Sequence, residues 1–287
     1  MNQTSKIQSD VQSETNQTLA ALAWVGMGQI QSSLNIGEFN VPCLLDLGVD
    51  LKAGYRGIHM SRLYQVHQDY FLHKKLNLKQ MTEFLDHALK SQGEISSEIA
   101  MKVNLQFSMT TKSLKSQLPG FRNYPLQLII EKNAESQNTY LQFEVLYSST
   151  CPQSAGLSME VLKAGNVLPE RLPATPHAQR SRAVVKVQVQ DFSDQEIRNL
   201  ILSVENAVQT PVQTAVKKAD EMEFAVLNAQ NLMFCEDAAR KIALGLQKNP
   251  NISGFAVFCE HQESLHPHNA SSLIMLNYKA PVRITFS

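Results

Sequence analysis

The chain lacks a surplus of either charge. Lys+Arg and Asp+Glu stand at 26 each over 287 residues, which excludes a general polyanion-binding surface. Nucleic acid is therefore not an expected partner, although a local basic pocket for a phosphorylated small molecule stays open. It also lacks any CxxC pair. Cys43, Cys151, Cys235 and Cys259 lie far apart, which argues against a zinc ribbon and a secreted disulfide framework and fits a reducing cytoplasm. No apolar run is long enough to span a membrane. No basic stretch followed by an apolar one opens the chain, and residues 1–19, rich in Gln, Ser, Asn and Thr, read as a flexible polar tail.

What is present is an order of strand and helix patterns. Leu22 to Ile36 and Val41 to Met60, the latter interrupted by Gly48, Gly54 and Gly57, suggest an opening strand pair. Asn77 with Gln80 can cap a helix whose apolar stripe is Met81, Phe84, Leu85, Ala88 and Leu89. Alternation of Ile99, Met101, Val103, Leu105, Phe107 and Met109 with mostly polar residues predicts a half-buried strand. A hairpin follows, with strands at Leu126–Glu131 and Tyr140–Tyr147 about a polar turn.

The second half repeats this plan. Val185, Val187 and Val189 alternate with polar residues. Ser193 and Glu196 form a capping-box pattern ahead of Ile197, Leu200, Ile201 and Val204, and a second helix runs through Ala238, Ile242, Ala243 and Leu246. Phe255–Cys259 and Leu273–Tyr278 close as strands. The expected fold is α+β with two modules of similar plan, residues 20–134 and 135–287. Ser154 to Pro176, with two glycines and three prolines and little periodicity, reads as a long loop joining Cys151 to His177.

Several residue types suited to metal or proton chemistry stand among turn-forming neighbours: Cys151, His177, Glu221, Glu236, His266 and His268. Each also has an ordinary reading. Cys151 suits a buried core position, His177 a surface loop, Glu221 a solvated charge cluster, and Glu236 a helix N-terminus where it could pair with Arg240. The two histidines flank Pro267 in a rigid loop. One Cys, one His and one carboxylate would leave an open position on a metal, as catalytic sites require. Spacing does not show that they converge.

Five segments, in order, carry a resemblance: Val25-Gly26-Met27, Gly57-Ile58-His59-Met60-Ser61-Arg62, Cys151-Pro152, His177 with Gln179-Arg180-Ser181-Arg182, and Cys235-Glu236-Asp237. Together they resemble the type IB GTP cyclohydrolases, the FolE2 group. The resemblance implies a tunnelling fold with two ββααββ modules per chain, antiparallel sheets with helices on one face, and homotetramers with active sites at subunit interfaces. It implies that one divalent metal (zinc, manganese or iron) is held by Cys151, His177 and Glu221. It further implies that Glu236 anchors the guanine edge, that His266 assists proton transfer, and that the product is dihydroneopterin triphosphate with formate, at the entry to folate synthesis. Arg62, Arg180, Arg182 and Lys217 are the candidate cations for the triphosphate. The family often reads Cys-Pro-Cys-Ser-Lys where this chain has Cys151-Pro152-Gln153-Ser154-Ala155, so a second thiol and a lysine are missing, and the interval from Cys to His is longer than usual. Two other functions suit the same fold: an NADPH-dependent nitrile reductase with Cys151 as nucleophile, and a non-catalytic purine-binding protein.

Overall fold

A computed structural model describes Thr15 and residues 19–74, 76–165, 172 and 174–284. Most of the expected tail, and residues 166–171 and 173 of the expected loop, lie outside the described residues. The strands are β1 (Leu22–Ile36), β2 (Phe39–Leu51), β3 (Glu98–Lys112), β4 (Pro119–Asn133), β5 (Gln137–Thr150), β6 (Ala178–Val189), β7 (Ile252–His261) and β8 (Ala270–Leu276). The helices are α1 (Met60–Gln68), α2 (Met81–Lys90), α3 (Pro152–Lys163), α4 (Asp194–Val208), α5 (Lys218–Gln230) and α6 (Cys235–Leu246). Strand order in the sheet follows chain order, β1 to β8. The first half reads ββααββ, and the second gives the same order once α3 and α5 are set aside, as the tunnelling-fold resemblance implies.

By contacts the chain divides into two compact units. The first comprises Met1–Leu105, Leu128–Thr139 and Ala280–Ser287. Here β1 pairs antiparallel with β2, and β2 with β3. Leu45, Leu47, Leu63, Phe84, Leu85, Met101 and Val103 are fully buried; side chains of this kind each contribute ~1.5–3 kcal/mol on leaving water. Gly26 and Gly48 face each other across the β1–β2 pair. A Cβ on Gly48 would collide with the Trp24 indole, so the ring packs on bare backbone.

The second unit comprises Gln106–Gln127 and Tyr140–Lys279. β6, β7 and β8 pair antiparallel in turn, and α6 packs on β7, β8 and α4. The apolar stripes expected on α4 and α6 are buried: Ile197, Leu200, Ile201 and Val204 meet Ala238, Ile242, Ala243 and Leu246 in the core.

Four readings need correction. β2 ends at Leu51, Gly54 turns with φ 89°, and Met60 begins α1 where a strand was expected. β3 is half-buried only beyond Asn104, because Lys102 on its expected solvent face is buried and paired with Asp46 Oδ2 at 2.9 Å. Ser193 Oγ accepts the Glu196 N–H at 3.3 Å, but the Glu196 carboxylate takes Asn249 and Asn251 amides in place of closing a capping box. The expected loop after Cys151 begins as α3, whose residues are never fully buried; Leu157, Met159, Val161 and Leu162 are exposed.

Candidate active site

Cys151 stands where β5 gives way to α3. It is the N-cap of that helix, and its Sγ accepts the Ser154 N–H at 3.5 Å, with Pro152 in the first turn where a missing N–H costs nothing. Its own N–H donates to the His177 carbonyl at 3.2 Å, and the His177 N–H donates to Ser154 Oγ at 3.2 Å. Two residues 26 positions apart in the chain are thus tied by backbone at the neighbouring ends of β5 and β6.

A cavity of ≈ 440 Å³ opens beside them, a volume suited to a small-molecule ligand. Cys151, His177, Glu236, His266 and His268 all line it. Glu236 reaches it from the first turn of α6. Arg240 pairs with Asp237 at 3.6 Å rather than with Glu236, while the Cys235 thiol donates to Glu236 Oε2 at 3.3 Å. The rings of His266 and His268 stack at 5.0 Å in the loop between β7 and β8.

Glu221 does not line this cavity. It lies in the first turn of α5 on a separate cavity of ≈ 330 Å³, together with Arg180. Its neighbour Asp220 is wholly buried and accepts from the N–H groups of Lys115, Ser116 and Lys217 at 2.7, 2.9 and 2.8 Å, and from the Ser116 hydroxyl. The Ser116 hydroxyl and these backbone donors hold the Asp220 carboxyl well below the usual carboxylate range. The start of α5, with Lys217 and Glu221, is thereby fastened to the turn between β3 and β4. Among the other candidate cations, Arg182 is engaged by Glu260 at 3.0 Å and Glu144 at 3.4 Å. Arg62 lies on α1 in the first unit.

Among the described residues, no three His, Cys, Asp or Glu side chains are grouped closely enough to hold a metal ion. The donor chemistry of Cys151 and His177 still suits one, since a thiolate and an imidazole on one cavity are ligands for zinc and ferrous iron.

Among the further polar residues that line the cavity, Gln179, His261 and Glu263 had been assigned no role from sequence. Gln179 Oε1 lies 3.1 Å from His177 Nδ1, and Glu263 Oε2 lies 3.5 Å from the same nitrogen. His261 is buried at the end of β7, with Nε2 3.0 Å from the Tyr147 hydroxyl. Burial pushes its pKa down to about 4, against the opposing charges of Glu236 and Asp237. The signal for His261 was its place two residues beyond Cys259 on the inward face of a strand; for Glu263 it was its place in the same segment as His266.

The family model for the type I GTP cyclohydrolase folE2 matches residues 9–272. The chain is 38% identical to a GTP cyclohydrolase FolE2 of Bdellovibrio bacteriovorus, covering 94% of this chain and 96% of that one. It is 35% identical to one from Hydrogenovibrio crunogenus, covering 89% and 90%. Among solved structures it is similar to uricase from Arthrobacter globiformis, with a TM-score of 0.49 and 10% identity over 92% of this chain and 97% of that one. With its motifs in order and a family match over nearly its whole length, the chain belongs to the type I GTP cyclohydrolase folE2 family.

Proposed function

We propose that this protein is a metal-dependent GTP cyclohydrolase that converts GTP and water to 7,8-dihydroneopterin triphosphate and formate. The observation that carries the reading is that Cys151, His177, Glu236 and His266, spread over more than a hundred positions of sequence, line one cavity. The curated relatives that carry the GTP cyclohydrolase name support it over most of their length.

Cys151 and His177 would hold a divalent ion, zinc, manganese or iron; Glu221, proposed as the third ligand, lies on the separate cavity in this chain and would have to be brought to them. A divalent ion bound there supplies a water whose pKa falls from 15.7 towards ~7. Everything else falls to the chain's own groups. The Glu236 carboxylate accepts from guanine N1–H and the 2-amino group together, which adenine cannot offer. His266 carries a proton to and from N7, which makes C8 open to attack by water; an imidazole does this near neutral pH. Attack of water at C8 breaks the C8–N9 bond and leaves a formamide on N7. A second water releases C8 as formate and frees the N7 amine. The sugar, still held on N9 through C1′, rearranges to a ketone at C2′, and that ketone condenses with the N7 amine and expels one water, so that one water is consumed overall. Arg180 and Lys217 are offered as triphosphate contacts, with Arg62 and Arg182 as further cations. Arg182 would have to leave Glu144 or Glu260 to serve. The proposed assembly is a homotetramer with active sites at subunit interfaces, acting in the cytoplasm at the entry to folate synthesis. Among the described residues no helix is long and apolar enough to cross a membrane.

The test is incubation of protein loaded separately with zinc, manganese and ferrous iron with GTP. Formate and a pterin that fluoresces after oxidation should appear together, and should vanish in Cys151→Ala along with the bound metal. No turnover with any of the three metals would sink the reading. Loss of metal in Glu221→Gln tests the third ligand.

A further inference from the structure

We infer that Gln179 is a positioning residue that fixes the tautomer of His177, presenting Nε2 as the metal-binding nitrogen. The inference rests on the proposed function for its use, but its geometry stands apart from it. Gln179 is the second residue of β6 and is nine-tenths buried, while His177 immediately precedes that strand. Residues two apart on an extended chain fall on the same side, so the amide and the imidazole meet, with Oε1 3.1 Å from Nδ1.

The orientation of a side-chain amide follows from its partners. Gln179 Nε2 lies 2.9 Å from Ser149 Oγ and 3.4 Å from Glu263 Oε1. A carboxylate only accepts, so the amide end facing Glu263 must be the NH2. Turning the amide over would set two acceptor oxygens against each other. Ser149 is itself fully buried on β5 and bonded to the fully buried Ser181 Oγ at 2.8 Å, so this end of the amide cannot drift.

With the NH2 held this way, the carbonyl end faces His177, and a carbonyl oxygen accepts only. His177 Nδ1 must therefore carry the proton. Glu263 Oε2, 3.5 Å from the same nitrogen, calls for a proton there too. The neutral imidazole then has its lone pair on Nε2. Metal-binding histidines characteristically donate their other ring N–H to a carboxylate or carbonyl, and loss of that partner lowers metal affinity about 10–100-fold.

The first measurement needs neither metal nor turnover. In metal-free protein labelled with 15N-histidine, two-bond 1H–15N correlations distinguish a protonated Nδ1 from a protonated Nε2; the His177 signals are those missing from His177→Gln. Nδ1–H is the expected result, and Nε2–H would overturn the inference whatever the activity with GTP. The second measurement is zinc affinity by chelator competition. Gln179→Met fills the space without an acceptor and should weaken binding about 10–100-fold. Equal affinity in wild type and a folded Gln179→Met would overturn the inference. Ser149→Ala frees the amide without touching His177 and gives the same reading by a gentler route, with weakened zinc binding expected and unchanged binding counting against. A wild type that shows Nδ1–H and binds zinc yet releases no formate with zinc, manganese or ferrous iron would leave this inference in place and remove the proposed function.

Discussion

The Tyr147 hydroxyl lies 3.0 Å from His261 Nε2, joining the fully buried floor of β5 to the last residue of β7. Burial holds the imidazole neutral, with its pKa at about 4 against an ordinary 6.5. The unfolded chain therefore takes up this proton at a higher pH than the folded chain does. The contribution to stability is complete above pH 6.5 and is lost as the pH falls towards 4. By pH 5 the loss is about 2 kcal/mol, from ~1.4 kcal/mol per unit. Thermal melting of wild type and His261→Gln at pH 7.5 and pH 5 should show a smaller acid shift in the variant; equal shifts would mean that another group sets the slope.

How much of this was legible beforehand depended on where side chains are buried. The stripe of Ile197, Leu200, Ile201 and Val204 faces α6 within the same unit, so α4 announced itself. In contrast α3 has no fully buried residue, and in α5 Asp220 alone is fully buried. Helices that bury little in their own chain carry no apolar rhythm to read. Pro152 after Cys151 was the one local sign of a helix start. Convergence at the cavity was out of reach, because Cys151, His177 and Glu236 meet through strand-end and helix-end placements that no spacing encodes. The sheet's buried ion pair was hidden likewise: Lys102 fits an alternating pattern as an outward residue until Asp46 is known to lie opposite it.

That pair gives a second prediction. Asp46 and Lys102 are register partners on β2 and β3, with side chains 1% and 5% exposed, and Asp46 Oδ1 also accepts the Gln29 N–H at 2.6 Å. Removing one member strands a buried charge, which costs about 3–5 kcal/mol. Lys102→Met should lower the urea midpoint strongly, and Asp46→Asn with Lys102→Met should cost less than the sum of the two singles. Additive losses would show that the two charges do not interact.

Gly48 gives a third. Trp24 lies on this glycine so closely that an added methyl group would meet the indole. Gly48→Ala should destabilise by about 1–3 kcal/mol, the usual cost of overpacking. Pairing it with Trp24→Leu should recover part of the loss, read from melting temperatures of the single and double variants. A neutral Gly48→Ala would mean that the ring and the Val25 carbonyl, which the added methyl would also meet, both give way without penalty.

The last prediction separates the guanine anchor from a carboxylate that merely begins a helix. Asp237 already accepts the Phe234 N–H at 3.0 Å and pairs with Arg240, so α6 has its N-terminal acid without Glu236. Glu236→Gln should leave the melting temperature nearly unchanged. As a ligand, however, the amide has one oxygen to accept with and turns an NH2 towards a base that also donates. A hydrogen bond to a charged group is worth about 1.5–3 kcal/mol, so kcat/KM for GTP should fall at least tenfold. Inosine triphosphate lacks the 2-amino group and loses one of the two contacts already in wild type. The preference for GTP over inosine triphosphate should therefore be large in wild type and shrink in Glu236→Gln. If the ratio of the two kcat/KM values stays the same while both fall, Glu236 acts on the reaction in some way other than by holding the guanine edge.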